Sequence, residues 1–90
     1  MLTITETSRF KRDVRKIKKQ GKELAKLAAI VRQLQIQNSL PAQNKDHPLT
    51  GNWRGYQECH IEPDWLLIYQ IDLSRNILVL VRTGSHSDLF

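Results

Sequence analysis

The apolar residues of this 90-residue chain recur at helical spacing in its first half and at strand spacing in its second. Residues 2–5 alternate apolar and polar side chains, which predicts a short half-buried strand. Thr7 or Ser8 follows as a cap for a first helix, and Gly21 is placed to end that helix. The apolar stripe of the helix recurs at i, i+4 and i+7, namely Phe10, Val14 and Ile17.

A second amphipathic helix is predicted from about residue 22 to residue 37. Its expected buried face consists of Leu24, Leu27, Ala28, Val31 and Leu34, with Ile30 at the edge. The glycine turn between the two helices predicts a helical hairpin. Pro41 then breaks the helical pattern and opens a polar loop.

The second half predicts three more strands. The longest apolar run, Trp65–Ile71, indicates a central strand. An interrupted strand at 53–61 precedes it across a turn at 62–64, and another strand follows at 77–81. The sequence therefore predicts one small α+β domain spanning 1–90, in the order β-α-α-β-β-β. Its helical hairpin should pack on one face of a mainly antiparallel sheet.

Charge is distributed unevenly along this pattern. Residues 1–38 carry ten basic and three acidic side chains, a net charge of +7, whereas residues 39–90 carry four basic and six acidic ones, a net charge of −2. The overall charge of +5 and the pI near 9.7 favour an anionic partner. For any single lysine, an ordinary solvated helix face is the better explanation of the charge.

Several classes of site are excluded by what the chain lacks. Cys59 is the only cysteine, so no disulfide forms within the chain, and its place in an apolar strand favours an inert thiol facing the core. No pair of histidines has metal-ligand spacing and no glycine-rich phosphate loop occurs, so neither a metal nor a cofactor is expected. No signal peptide or membrane span is present, and the chain is expected to be soluble and cytosolic.

The candidate chemistry lies in the second half. Histidines 47, 60 and 86 could approach one edge of the small sheet, and Asp64 and Arg82 belong to the same half. Histidine and carboxylate side chains suit proton transfer near neutral pH, and a guanidinium matches phosphate oxygens. These are the groups that metal-free RNA cleavage needs, although each histidine taken singly is more often a surface or structural residue. Phe90 could stack on a base or be pinned to the core.

Most aromatic side chains of this half are expected to be structural. Strand aromatics usually lie in the core, which is the interpretation preferred for Trp53, Tyr56, Trp65 and Tyr69. Two glycines flank the first of them and indicate a tight turn into the strand, Gly51 and Gly55.

Four short motifs together resemble a known family. They are DHPL at 46–49, GNWRGY at 51–56, HIEPDW at 60–65, and RTG followed by a histidine at 82–86. The combination is similar to the YafQ branch of the RelE/ParE superfamily, the toxins of bacterial type II toxin–antitoxin pairs. The resemblance implies a ribosome-dependent mRNA endoribonuclease that cuts in the ribosomal A site without metal. It also implies 2′-OH attack, a 2′,3′-cyclic phosphate product and a cognate antitoxin partner.

The resemblance carries over to individual residues. His86 matches the C-terminal histidine assigned as proton donor in the family. His60 and Asp64 match the pair with base and phosphate-positioning roles, and His47 matches a further histidine of the pocket. The general base among these last three stays open.

Three other positions follow from the same resemblance. Arg82 occupies the place of the phosphate-contacting arginine, and Phe90 that of the terminal aromatic. Glu58 stands where related toxins carry aspartate, which makes it a minor candidate. The basic helices are expected to bind ribosomal RNA through Lys11, Arg12, Arg15, Lys16, Lys18, Lys19 and Lys22.

Two other functions compete with the nuclease. ParE-like members of the superfamily share the fold but lack the histidine set and bind a protein target such as gyrase. A plain RNA-binding module would bind RNA in a salt-dependent way without cutting it.

Overall fold

The computed structural model describes residues 1–90 and contains one sheet, three α-helices and two short 3-10 turns. The strands are β1 (Thr3–Glu6), β2 (His47–Pro48), β3 (Gln57–Glu62), β4 (Trp65–Asp72) and β5 (Ile77–Gly84). The helices are α1 (Ser8–Lys19), α2 (Leu24–Gln35) and α3 (His86–Leu89). The 3-10 turns span Ala42–Asn44 and Gly51–Trp53.

The sheet has the strand order β1-β5-β4-β3-β2. All neighbours are antiparallel except β1, which pairs in parallel with β5. The predicted α+β class and the central position of β4 are confirmed, and residues 65–69 are almost completely buried. A strand covered on both faces reads as a continuous apolar run, which is why its sequence signal was the clearest.

Both long helices form where the sequence predicted them. The Thr7 hydroxyl caps α1 by accepting a hydrogen bond from the backbone N–H of Phe10 at 3.0 Å, and Gly21 follows the helix with a φ of +80°. Phe10 and Ile17 bury the apolar stripe of α1 in the main core. In α2 the prediction was wrong for Ala28, which is exposed beside an open groove.

The main core lies between the helices and one face of the sheet. Cys59 is part of it, as predicted, and its burial raises the pKa of the thiol to about 12. The indole Nε1 of Trp65 donates to the Thr83 hydroxyl at 3.0 Å, and that hydroxyl donates to the Leu66 carbonyl at 2.7 Å. Every enclosed side-chain polar atom has a partner.

The structure differs from the predicted elements in four respects. β1 is exposed at every position, because it is an edge strand and Leu2 just before it supplies the buried side chain. Trp53 belongs to a 3-10 turn, so the third strand begins later than predicted. The two-residue strand β2 and the four-residue helix α3 were not predicted, since elements this short carry almost no periodicity. None of the helices is long and apolar enough to cross a membrane.

Candidate active site

Three of the predicted residues meet on the sheet face opposite the long helices. His47 pairs with Glu58 across β2 and β3, while Glu58 and His60 pair with Ile68 and Leu66 across β3 and β4. Cross-strand partners in an antiparallel sheet project from the same face. A small apolar cluster built around Leu66 and Ile68 supports this face.

Glu58 lies between two imidazoles. Its Oε1 atom is 3.6 Å from Nε2 of His47 and 3.5 Å from Nε2 of His60. Only 6% of Glu58 is exposed, so its carboxylate is withdrawn from water and lies between the two imidazole rings. The sequence made Glu58 a minor candidate, and the structure places it at the centre of the histidine cluster.

The loop that carries His47 is closed by one internal hydrogen bond and is bound to the sheet at two points. The His47 Nδ1 atom lies 2.6 Å from the Lys45 carbonyl oxygen, and because a carbonyl only accepts, Nδ1 carries the proton and Nε2 faces Glu58. The Tyr69 hydroxyl donates to Asp46. The side chain of Asn44 donates to the His60 carbonyl at 2.7 Å.

His86 is oriented by Asp64. The Oδ1 atom of Asp64 accepts from the His86 backbone N–H at 2.9 Å and from the imidazole Nδ1 at 2.6 Å. These two hydrogen bonds, the backbone one first, hold the pKa of Asp64 below its ordinary value. The resemblance grouped Asp64 with His60 by role, but Asp64 lies in the turn before β4 and its carboxylate contacts His86 of α3.

His86 and His60 nevertheless face each other. Their ring centroids are 5.6 Å apart at an interplanar angle of 65°. His60 approaches Glu58 and His86 approaches Asp64, so two imidazole–carboxylate pairs meet at one point of the surface. Such an arrangement offers one group to remove a proton and another to deliver one.

α3 is too short to be stable alone, and a capping box together with a contact from α1 holds it in place. Ser85 and Asp88 form a capping box, in which the hydroxyl accepts from the Asp88 N–H at 3.2 Å and the carboxylate accepts from the Ser85 N–H at 3.1 Å. Lys16 of α1 donates to Asp88 at 2.8 Å. The Lys16 bond first and the Ser85 bonds second lower the pKa of Asp88 to about 2. The Ser-x-x-Asp spacing at residues 85–88 is a sequence signal from which the start of α3 could have been predicted.

Arg82 is not a free cation. Its Nε donates to Asp13 at 2.7 Å and its Nη2 donates to the same carboxylate at 3.2 Å, which raises the pKa of the guanidinium. Asp13 also accepts from the Thr83 N–H at 3.2 Å. With 12% of its side chain exposed, Arg82 joins α1 to β5 and has only Nη1 without a partner in the protein. This ion pair links residues 69 positions apart, so no local sequence pattern predicts it.

Phe90 is not pinned to the core, because 59% of it is exposed. Its ring meets Trp53 edge-to-face at 6.0 Å, and Trp53 meets Tyr56 in the same way at 5.7 Å. Trp53 and Tyr56 are half-buried and pack against the small apolar cluster, whereas Trp65 and Tyr69 are buried in the main core as expected.

The basic residues of the helical half divide into two groups. Lys16 is paired with Asp88, and Lys22 lies 3.6 Å from Glu62 and over the Trp65 ring at 5.9 Å. The other predicted RNA-binding cations have no ion pair within the protein: Lys11, Arg12, Arg15, Lys18 and Lys19. No group of three or more His, Cys, Asp and Glu side chains is arranged to hold a metal ion.

Comparison with known proteins agrees with this fold and set of residues. The family model of YafQ, a bacterial toxin of type II toxin–antitoxin systems, matches residues 2–90. The mRNA interferase toxin YafQ of Escherichia coli K12 is 43% identical over 89 residues, covering 97% of this chain and 94% of that protein. The crystal structure of a metal-bound toxin from Helicobacter pylori has a TM-score of 0.94 and 44% identity, with both chains fully covered. A DinJ–YafQ complex from E. coli gives a TM-score of 0.89 and 38% identity over 100% of this chain and 99% of that one.

Proposed function

The chain belongs to the YafQ family of type II toxin–antitoxin toxins, and we propose that it cuts mRNA on the ribosome by metal-independent acid–base catalysis. It is an mRNA interferase, an endoribonuclease that stops translation by destroying the message. The observation that carries the mechanism is the meeting of two imidazole–carboxylate pairs with ring centroids 5.6 Å apart.

The reaction needs two proton transfers at one phosphodiester. A base removes the proton of the ribose 2′-OH, and O2′ forms a bond to phosphorus. The bond from phosphorus to O5′ breaks, and an acid protonates the departing oxygen. The products are a 2′,3′-cyclic phosphate and a free 5′-OH, so atoms and protons balance without an external reagent.

His86 is the proposed acid. Its Nδ1 is bound to Asp64, which leaves Nε2 to give a proton to the leaving oxygen. The lowered pKa of Asp64 keeps that carboxylate ionised, and an ionised carboxylate stabilises the imidazolium form that an acid requires. Asp64 thereby acts through His86, as a positioning residue.

The proposed base is one of the two histidines beside Glu58. His60 lies closer to His86, whereas His47 has its Nδ1 proton held by the Lys45 carbonyl and its Nε2 free to accept. Glu58 stabilises whichever imidazole takes the proton, because it is a buried anion within 3.6 Å of both.

Two further residues are placed to contact the scissile phosphate and a nucleobase of the RNA. Arg82 is held rigidly by Asp13, and its unbonded Nη1 is available to a phosphate oxygen as charge builds up in the transition state. Phe90 presents an exposed ring on which a base can stack. The unpaired cations of α1 supply attraction to ribosomal RNA.

A cognate antitoxin is the expected protein partner, since an E. coli relative is seen in complex with DinJ. The site of action is the bacterial cytoplasm, where translating ribosomes lie. No observation favours a ParE-like gyrase inhibitor, and the histidine cluster counts against one.

The proposal is tested by mapping mRNA cleavage in a purified translation system treated with a chelator selective for transition metals, which leaves in place the Mg²⁺ that ribosomes need. Wild-type protein should produce cuts with 2′,3′-cyclic phosphate ends, and His86→Ala should cut about a hundredfold more slowly or less while remaining folded. Growth arrest of expressing cells that persists without mRNA cleavage would indicate a protein target, and cleavage abolished by removing transition metals alone would exclude the metal-independent route.

A further inference from the structure

A cleft opens beside the cluster formed by His47, His60 and His86. It has a volume of about 340 Å³ and lies between the 3-10 turn ending at Asn44 and the turn from β3 to β4. His60 forms part of its wall, and only one of its seven lining residues is hydrophobic. This volume is at the lower limit of ligand sites, about 300 Å³, and suits a single base.

Asn44 presents an unused acceptor to this cleft. Only 6% of Asn44 is exposed, and its Nδ2 donates to the His60 carbonyl at 2.7 Å. Because that carbonyl only accepts, the amide orientation is determined and Oδ1 is the atom left over. Oδ1 accepts no bond within the protein, yet no enclosed polar atom lacks a partner, so Oδ1 reaches solvent. Asn44 lines both this cleft and a neighbouring groove against α2, and we take the cleft beside His60 as the one that Oδ1 serves.

The backbone at the mouth of the cleft is strained. Lys45 has a left-handed conformation with a φ of +47°, which is uncommon for residues other than glycine. This conformation lets its carbonyl hold His47 while its side chain borders the cleft without an ion pair. Such a conformation persists only where the surrounding structure imposes it. Here the Lys45 carbonyl binds His47, and the neighbouring Asn44 side chain binds the His60 carbonyl, so the segment that lines the cleft also contacts two of the histidines.

We propose that this cleft binds one base of the RNA next to the scissile phosphate and reads its edge through Asn44 and Gln43. The inference rests on the proposed function, because it assumes that the base in the cleft belongs to a nucleotide next to the phosphate that is cut beside His60. The Asn44 oxygen accepts from an N–H group of the base. The exposed Gln43 carboxamide offers both a donor and an acceptor, the combination that reads base edges elsewhere.

Electrostatics suit a nucleotide in this position. Glu62 lines the cleft but is neutralised by Lys26 at 2.8 Å and Lys22 at 3.6 Å. Lys45 adds a positive charge at the rim, near where the backbone of a bound nucleotide would pass. A base in the cleft would therefore enter a polar recess whose surroundings are net positive.

The test compares cleavage rates on ribosome-bound messages that carry each of the four bases at each position flanking the cut. Wild type should prefer some bases over others at one of those positions. Gln43→Ala should reduce that preference about five- to a hundredfold, by slowing cleavage of the preferred base and leaving the others unchanged. Gln43→Glu, which only accepts, should move the preference towards bases with an exocyclic amino group. The matched control Gln20→Ala alters an exposed glutamine outside the cleft and should leave the preference intact.

The outcomes separate the two proposals. A wild-type protein that cuts no mRNA would defeat the proposed function itself. Cleavage that shows no base preference, or a preference unchanged in both Gln43 variants, would overturn the reading role of the cleft while leaving the nuclease in place.

Discussion

The Asp64 carboxylate binds His86 twice, through its backbone N–H at 2.9 Å and its imidazole Nδ1 at 2.6 Å. One oxygen atom thus determines both the start of α3 and the orientation of the ring. The tautomer follows from this contact, because an ionised carboxylate only accepts. His86 therefore presents Nε2 to any substrate.

Asp64→Asn should separate orientation from charge. The amide oxygen still accepts both bonds, but it no longer stabilises an imidazolium. A hydrogen bond to a charged group contributes about 1.5–3 kcal/mol, so single-turnover cleavage should fall about ten- to a hundredfold. The alkaline limb of the pH–rate profile should also move to lower pH, since the charged ring is lost sooner. A rate loss with an unchanged profile would mean that Asp64 acts only on the backbone of α3.

Glu58→Gln tests the buried charge between His47 and His60. The substitution preserves shape, and we expect cleavage to fall about a hundredfold because the protonated base loses its counter-ion. The free energy of unfolding should not fall, since a desolvated charge has been removed. Urea denaturation and single-turnover cleavage measure the two effects separately.

Glu58→Asp is the matched control for this charge. It keeps the carboxylate but withdraws it by one methylene, so its cleavage rate should lie between those of wild type and Glu58→Gln. Equal rates for all three proteins would remove Glu58 from the mechanism.

The sequence could predict the scaffold because its signals are local. The apolar run of β4, the Thr7 cap and the Gly21 stop each occupy a few neighbouring residues, and all three hold in the structure. The candidate histidines were found by residue type and by resemblance. The carboxylates that contact these histidines could not be identified in this way, because such contacts depend on how distant segments of the chain meet in the fold.

Three contacts illustrate what local pattern leaves out. Asp64 reaches His86 across 22 positions, and Asp13 reaches Arg82 across 69. In both cases the carboxylate looks like an ordinary surface residue in the sequence. Glu58 was underrated for another reason, since strand alternation places it on the histidine face but does not reveal that the loop of His47 covers it.

Tyr69→Phe should loosen the loop of His47. The Tyr69 hydroxyl donates to Asp46, and burial together with this bond raises the pKa of the phenol. Losing the bond should lower the free energy of unfolding by about 1 kcal/mol. Cleavage should fall several-fold if His47 takes part. Tyr56→Phe is the control, because its hydroxyl makes no hydrogen bond within the protein and its ring contact with Trp53 is retained.

The free energy of unfolding of the protein should depend on pH in the acid range because of Asp88. Its folded-state pKa of about 2 lies below the ordinary value of about 3.9. Because the pKa of Asp88 is lower in the folded protein, its stabilising effect is fully present when the pH is above the pKa of the unfolded chain. The effect disappears as the pH falls from about 4 to about 2. We expect Asp88→Asn to lower the free energy of unfolding by about 1–2 kcal/mol at pH 6, reduced by solvent screening of the exposed Lys16.

Urea titrations of both proteins between pH 2 and pH 6 measure this difference. It should shrink towards zero at the acid end. Lys16→Met should reproduce part of the loss, because it removes the largest cause of the shift while leaving the Ser85 bonds in place. A difference that stays constant with pH would show that the carboxylate charge contributes nothing to α3.

The cations of α1 should differ in how much they contribute to RNA affinity. Each phosphate contact changes the slope of log K against log salt by about 0.7–0.9. Replacing Lys18 and Lys19 by glutamine should therefore reduce the slope for ribosome binding by up to about 2, since neither has an ion pair in the protein. Lys22→Gln should change it less, because a phosphate must first compete with Glu62 for that ammonium group. An equal effect from Lys22 would mean that the ion pair opens freely when RNA binds.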